Sequence, residues 1–365
     1  MILHRYFARR FTMIFGGVLG IFFLLMGLID LVEQIRRFSP LGVSFAEVAG
    51  LTLLNIPAGL YDILPLVMIL STVALFLGLS RSSELVVTRA SGRSALRALL
   101  APLAVALVIG LLAVAMFNPI VAATSKRYTA LYEQYRSGGA DVLSLSSEGL
   151  WLRQGSIEGQ TLIRAVRANS NGTTLFNATF LTYAPDGTPV RRIEADSATL
   201  TRGAWELSGV KEWLLDPDTN PEQNAQRHDT LKLSSTLTQE RIRDSFGLPN
   251  TIPIWDLPAY IDQLEQAGFS ARRHAVWFQM ELARPLFLMA MMLIASAFTM
   301  RPQRSGNVGL SVLLSIMLGF LLYYIRNFSQ ILGENGQIPI ALAAWAPPVA
   351  SAFLATGLLL HMEDG

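Results

Sequence analysis

The sequence contains no cysteine, and lysine occurs only at Lys126, Lys211 and Lys232. Without cysteine there is no disulfide, no thiolate zinc site and no thiol nucleophile, so any domain here is held by packing alone. The dipeptide Gly-Lys never occurs, which excludes the phosphate-cradling loop G-x-x-x-x-G-K-[ST]. His4, His228, His274 and His361 are dispersed and form no H-E-x-x-H pair, and no metal-ligand spacing is present. Serines are plentiful, yet none sits in a G-x-S-x-G elbow. The chain therefore offers no catalytic constellation, no metal site and no cofactor site of its own. Charge is scarce as well: 15% of residues are charged, against about 25% in ordinary soluble domains. The arginines are scattered, the net charge is only +2, and no basic run of the kind that binds nucleic acid appears.

What is present is apolar. Hydrophobic residues make up 52% of the chain and the mean hydropathy is +0.41. A bilayer core needs roughly 20 apolar residues per helix, and six stretches meet that length. The first is Phe11–Leu31. Arg5, Arg9 and Arg10 precede it, which puts the N-terminus in the cytoplasm by the positive-inside rule; the run is too long for a signal-peptide core and has no clear cleavage site. Phe38–Leu54 reads as a short external excursion with a turn at Ser39-Pro40-Leu41-Gly42. The second span is about Pro57–Leu79, with Pro57 at a helix start and a kink expected at Pro65. The third, about Leu99–Ala122, continues into a polar helical extension over Lys126–Gly138. Three more follow late in the chain: about Trp277–Met300, Val308–Ile331 and Ile338–His361, the last ending in the cytoplasm.

Between the third and fourth spans the period changes to two. Segments 149–153, 161–167, 173–183, 190–195, 198–202, 205–215 and 230–237 read as strands, separated by turn signals such as Pro185-Asp186-Gly187 and Arg202-Gly203. Short strands at this spacing predict an all-β sandwich or jelly roll. It lies between an outward-going and an inward-going span, hence in the periplasm. Ile252–Gln266 then reads as a helix with Tyr260, Ile261 and Leu264 on one face. The fold class is thus an α-helical membrane protein with six transmembrane helices, three on each side of an inserted periplasmic β-jellyroll domain. The corresponding division is 1–125 for the first three spans, 126–272 for the β domain and its connecting helices, and 273–365 for the last three spans.

The segment between the second and third spans is more than a connector. It carries Arg81, Arg89, Arg93 and Arg97, and residues about 81–92 read as a short helix at the cytoplasmic surface with one carboxylate, Glu84. Gly92 ends it. As a plain topological turn, it would need only its arginines. However, Ser83-Glu84-Leu85-Val86-Val87 followed by Arg89-Ala90-Ser91-Gly92 resembles the coupling-helix motif of the LptF/LptG permeases, in the form closer to the LptG branch. The likeness extends over the whole layout of three spans, jelly roll and three spans. It implies the membrane subunit of an ABC exporter that extracts lipopolysaccharide from the inner membrane. The implied partners are an LptF-type permease, two copies of an LptB-type ATPase that binds the ATP, LptC, and a periplasmic LptA bridge. Arg81, Ser83, Glu84, Leu85, Arg89 and Gly92 would then form the contact with the ATPase. Readings as the LptF paralogue, or as a mechanotransmission subunit that relays force without admitting lipid, stay open at this stage. A membrane-bound transferase or hydrolase would need an acid, base or nucleophile that is not visible.

Charged residues near the spans have two readings each. Arg36 and Arg37, at the outer end of the first span, either snorkel to the interface or clamp a lipid phosphate, for which the guanidinium fork is suited. The resemblance implies the clamp, although the family's better-known members carry lysines there and can carry a further base where this chain has Asp30. Arg326 in the fifth span either pairs with Asp30, Glu33 or Glu281, or lines the cavity toward the lipid's acidic head. Tyr324 and Phe328 are candidates for a lipid-accessible groove beside it. Arg284, before Pro285, reads as structural.

Overall fold

A computed structural model describes residues 2–84, 87, 95–137, 144–146, 149–156, 159–169, 172–184, 187–215, 220–235, 237–238, 248–266, 270–300 and 308–363. The chain divides into two compact units. One comprises Met1–Tyr132, Asn250–Trp255 and Arg272–Gly365; the other comprises Glu133–Pro249 and Asp256–Ala271.

The first unit is helical. Helix α1 runs Ile2–Phe38, α2 Phe45–Arg81, α3 Ala95–Leu112 and α4 Asn118–Ser137, with a π turn at Ala113–Phe117 joining the last two into one span. After the β domain come α5 (Leu257–Gln266, which belongs to the second unit), α6 (Arg272–Thr299), α7 (Val308–Glu334) and α8 (Ile340–Glu363). Six of the described helical stretches are long and apolar enough to cross a membrane. They are not equally packed. In the apolar window of α6, 72% of residues are buried, against 6% in α1 and 17% in α7. Helix α6 is the axis of the unit, touching α2, α3, α7 and α8. By contrast, α1 and α7 each leave an apolar face unpacked, with Leu24, Leu28 and Val32 exposed on α1 and Met317, Leu321 and Tyr324 on α7.

Two expectations are corrected here. Phe45–Leu54 is not an irregular connection but the first turns of α2, so Pro57 and Pro65 both lie inside a helix. The reason is a capping box at Ser44. Its side chain accepts the Glu47 amide at 3.4 Å, and the Glu47 carboxylate accepts the Ser44 amide at 2.9 Å. Reciprocal capping of this kind satisfies two orphan donors and fixes the helix start well ahead of Pro57. The helix expected over Ile252–Gln266 starts only at Leu257. Pro253 cannot donate, and the neighbouring donors are used elsewhere: the Ile254 amide donates to Asn118 Oδ1 at 3.0 Å and the Trp255 indole to the Ala115 carbonyl at 3.2 Å. That carbonyl needs a donor because Pro119, four residues on, has no N–H to give it.

The second unit is a seven-stranded antiparallel sheet in sequential order: β1 Ser144–Ser146, β2 Gly149–Ser156, β3 Gly159–Ala168, β4 Thr174–Tyr183, β5 Pro189–Thr201, β6 Ala204–Leu214 and β7 Gln226–Ser234. One face is apolar and buried, with Leu152, Ile163, Phe180, Ile193, Trp205 and Leu207 at its centre. From α5, Leu264 joins this core and Tyr260 and Ile261 pack against it, as their spacing predicted. The segments expected as separate strands at 190–195 and 198–202 are one strand, β5.

The false break has a physical cause. On β3, Ala165 and Ala168 both point inward, on β4 Leu175 and Ala178, on β5 Ala195 and Ala198, and on β6 Leu207 and Val210. Each strand thus turns two consecutive residues outward and changes phase by one. The ladder pairings skip Val166, Asn177, Asp196, Gly209 and Asp229 in turn. These positions form a line across the sheet, and Asn177 (φ +51°) and Gly209 (φ +65°) lie on it in the left-handed region. The register is the same on both sides of this line, so one residue of each strand leaves the ladder together and the sheet creases there, with the alanines giving the inside of the crease room to close. The result is one sheet folded over its apolar face, a jelly-roll type domain inserted between the third and fourth spans.

Gly209→Ala tests the crease. A Cβ there would lie 2.1 Å from Asp196 Oδ2 in addition to the left-handed strain. The substitution is expected to destabilise the β domain by about 1–3 kcal/mol, read from Trp205 fluorescence on heating. Adding Asp196→Ala should recover the steric part only. Gly187→Ala, also at positive φ but with nothing within 4 Å, should cost less.

Candidate functional site

The sequence singled out residues at both ends of the first span, around the segment between the second and third, and in the fifth. At the segment after α2, Arg81 is the last helical residue and is exposed. Ser83 adopts φ +57°, turning the chain, and its carbonyl accepts the Val87 amide at 3.1 Å, which begins a new helical turn. Leu85, Arg89 and Gly92 lie outside the described residues. Glu84 is half-buried and held within the chain: it accepts from Arg10 Nη1 at 2.8 Å and from Ser82 Oγ at 2.7 Å. Burial pushes the Glu84 carboxyl up, and the hydrogen bonds from Ser82, Arg10 and Tyr6 outweigh it and hold the carboxyl below its ordinary value of 4.5. The sign follows from linkage: a depressed carboxyl contributes above its unfolded value and loses that contribution as pH falls through the depressed one. Glu84 is therefore ionised throughout the neutral range.

At the other end of α1, Arg36 and Arg37 share one carboxylate. Arg36 Nη2 lies 2.9 Å from Glu33 Oε2, and Arg37 Nε lies 2.7 Å from Glu33 Oε1. Arg37 Nη1 also donates to the Tyr132 hydroxyl at 3.2 Å. Two guanidiniums against one carboxylate leave a surplus positive charge, and both arginines are more than half exposed. Exposed ion pairs of this type contribute little, so a phosphate can take these guanidiniums from Glu33 at little cost. Asp30 faces elsewhere: it accepts from Asn55 on α2 at 2.8 Å and serves to join two helices.

Arg326 is 7% exposed, and its Nη2 has no hydrogen-bond partner. Its guanidinium carbon sits 5.4 Å from the centre of the Phe287 ring. Among the described residues it makes no ion pair, because Asp30, Glu33 and Glu281 are each engaged with other groups. Tyr324 and Phe328 are more than 60% exposed on the outer face of α7. The structure therefore brings Tyr324 and Phe328 together but points Arg326 to the other side of the same helix. A groove between α2 and α7, lined by Asp62, Pro65, Ile69, Phe320 and Tyr323, opens beside them.

Arg284, read from the sequence as structural, is so, but its partners were not anticipated. Arg284 makes a bidentate pair with Glu281, Nη2 to Oε1 at 2.5 Å and Nε to Oε2 at 3.0 Å, both side chains being almost fully buried. Tyr61 donates its hydroxyl to Glu281, Asn118 Nδ2 reaches the same oxygen at 3.4 Å, and Arg284 Nη1 donates to the Tyr61 carbonyl at 3.1 Å. The Tyr61 ring stacks 3.9 Å from the guanidinium carbon. Helices α2, α4 and α6 are thereby joined at one point. The available signal was Glu281 and Arg284 at i, i+3 in an otherwise apolar window; Tyr61 and Asn118 gave none.

Six apolar helices around an inserted β domain, with charge gathered at helix ends, define a multi-pass membrane protein. Residues 5–361 match the family described as lipopolysaccharide export system permease LptF/LptG, and the chain belongs to that family. It is 27% identical over 373 residues to the lipopolysaccharide export system permease protein LptG of Escherichia coli strain K12, covering 97% of this chain and 94% of that protein. It is 22% identical over 370 residues to the protein of the same name from Haemophilus influenzae, covering 99% of each. The resemblance carried by the segment 83–92 is thus to the right family, and both relatives belong to the LptG branch. The family is one of permeases rather than enzymes, and with the six spans it points to the inner membrane.

Removing one member of the buried pair strands the other. Glu281→Ala or Arg284→Ala is expected to cost about 3–5 kcal/mol of unfolding free energy, measured by denaturant titration in micelles. Replacing both with methionine should recover most of that loss.

Proposed function

We propose that this chain is the LptG-type permease subunit of an ABC exporter for lipopolysaccharide. It would pair with an LptF-type permease above two LptB-type ATPases, with LptC alongside and a periplasmic LptA bridge receiving the lipid. The observation that carries this reading is the match to the permease family over residues 5–361, with the coupling-type motif in the segment after α2. Both termini and the 81–97 segment would be cytoplasmic, where Arg5, Arg9, Arg10 and Arg81 gather, and the β domain periplasmic.

In this reading, lipid enters against the unpacked apolar faces of α1 and α7. Tyr324 and Phe328 would meet acyl chains, Arg36 and Arg37 would take a phosphate, and Arg326 would offer its unpartnered Nη2 to an acidic group. The pair at Arg36 and Arg37 also favours lipid entry over pure force relay, since a relay needs no surplus charge beside an open apolar face. The Glu84 segment would seat on the ATPase, whose closure drives the lipid outward.

The test is reconstitution. The chain, co-expressed with an LptF-type subunit, an LptB-type ATPase and LptC, should purify as one complex and release lipopolysaccharide to an acceptor only with ATP. Arg36→Glu with Arg37→Glu should leave assembly intact and sharply reduce lipid photocrosslinking; unchanged crosslinking would remove the clamp. The natural absence of cysteine makes the topology easy to check. Arg202→Cys, in the exposed turn between β5 and β6, should react with a membrane-impermeant reagent on spheroplasts, and labelling only after lysis would overturn the orientation.

A further inference from the structure

Three arginines stand at the foot of α1, and topology asks only that they be positive. Arg5 and Arg9 are exposed. Arg10 is built into a site. Its Nη1 donates to Glu84 Oε1 at 2.8 Å and to the Tyr6 hydroxyl at 2.5 Å, and its guanidinium lies 5.6 Å from the centre of the Tyr6 ring. Gly78 on α2 lies beside it: a Cβ there would be 3.4 Å from Arg10 Nη2, an ordinary contact. Next to this lock, Phe7 and Phe11 are buried in the core that holds Leu75, Phe76 and Leu79 from the end of α2 and Ala98 and Leu99 from the start of α3. The foot of α1 is therefore bound to both sides of the segment that carries Glu84.

We propose that Arg10 is a positioning residue for coupling: it fixes Glu84 to α1, so that displacement of the Glu84 segment moves α1 directly. The inference rests on the transport reading above, in which that segment meets the ATPase. Helix α1 is continuous from Ile2 to Phe38. At 1.5 Å per residue, Arg10 and Arg36 are roughly 40 Å apart along one rod. A shift of the foot is then a shift of the Arg36–Arg37 end and of the apolar face between them. Without the lock, α1 would feel the stroke only through deformable side-chain packing.

The experiment uses the complete complex in proteoliposomes, with two readouts. One is lipid released per ATP hydrolysed. The other is the ATP-dependent change in the labelling rate of a cysteine at Leu24, on the exposed face of α1. Arg10→Gln should allow assembly and ATP hydrolysis, lower lipid released per ATP several-fold, and abolish the ATP-dependent change at Leu24. Arg10→Lys, which keeps the charge and a donor, should restore part of both. Arg5→Gln and Arg9→Gln remove the same charge from exposed positions and should change neither readout. An unaltered ATP response at Leu24 in Arg10→Gln, or an equal loss in Arg9→Gln, overturns the proposal. If wild type releases no lipid while α1 still responds to ATP through Arg10, the lock stands and the transport reading falls.

Discussion

The ion pair between Glu281 and Arg284 is the interaction on which the helical unit depends. Two charges inside a membrane-spanning bundle are tolerable only when each is answered in full. Here the answer recruits Tyr61 from α2 and Asn118 from α4, so the demand of one pair on α6 fixes the relative depth of three helices. Asn118 in turn holds the Ile254 amide, and Trp255 covers the carbonyl that Pro119 leaves open. The return segment from the β domain is thus tied to the same helix junction. Because the pair consumes Glu281, Arg326 on the next helix has no close ion pair among the described residues; the Phe287 ring lies beside it and Asp62 on α2 is the other acid whose charge it feels.

This arrangement also explains why the six spans play different parts. Helix α6 is buried on nearly all sides and has little freedom to move. Helix α1 rests on α2 and α3, and α7 on α6, α8 and α2, yet each leaves much of its apolar surface free. Under the transport reading proposed above, such loosely held helices, with the rigid axis behind them, would wall a cavity that opens sideways. Two sets of charged groups differ in the same way: the pair in the axis is almost fully buried, while Arg36 and Arg37 at the end of α1 are exposed.

Much of this was legible in the chain. Span count and sequence order follow from hydropathy and length, and the β insertion from the change of period, because both signals are summed over many residues. Local competition was harder to read. The capping box at Ser44 overrode the breaking tendency of Pro57. The segment 252–256 lost its helix to side-chain partners far away in sequence. The phase change at 195–198 looked like a turn because alternation alone cannot distinguish a crease from a break. At the candidate sites, Glu84 was visible as the one acid in its segment, but Arg10 was hidden among topological arginines. Helix spacing already set Arg326 opposite Tyr324 and Phe328, since residues two apart on a helix face different ways; grouping the three as one lipid contact overlooked it.

The crease across the sheet has a consequence for how this domain can vary. Each of the four central strands must change phase at the same line, so its length on either side of that line is not free. Inserting or deleting one residue between a turn and the crease would expose one half of that strand's buried residues while leaving the other half in place. Length variation is therefore confined to the turns, such as the one at 202–203, or must occur in coordinated steps on neighbouring strands. A domain with this geometry can drift widely in side chains while its strands keep their lengths, and its edges stay at a constant angle.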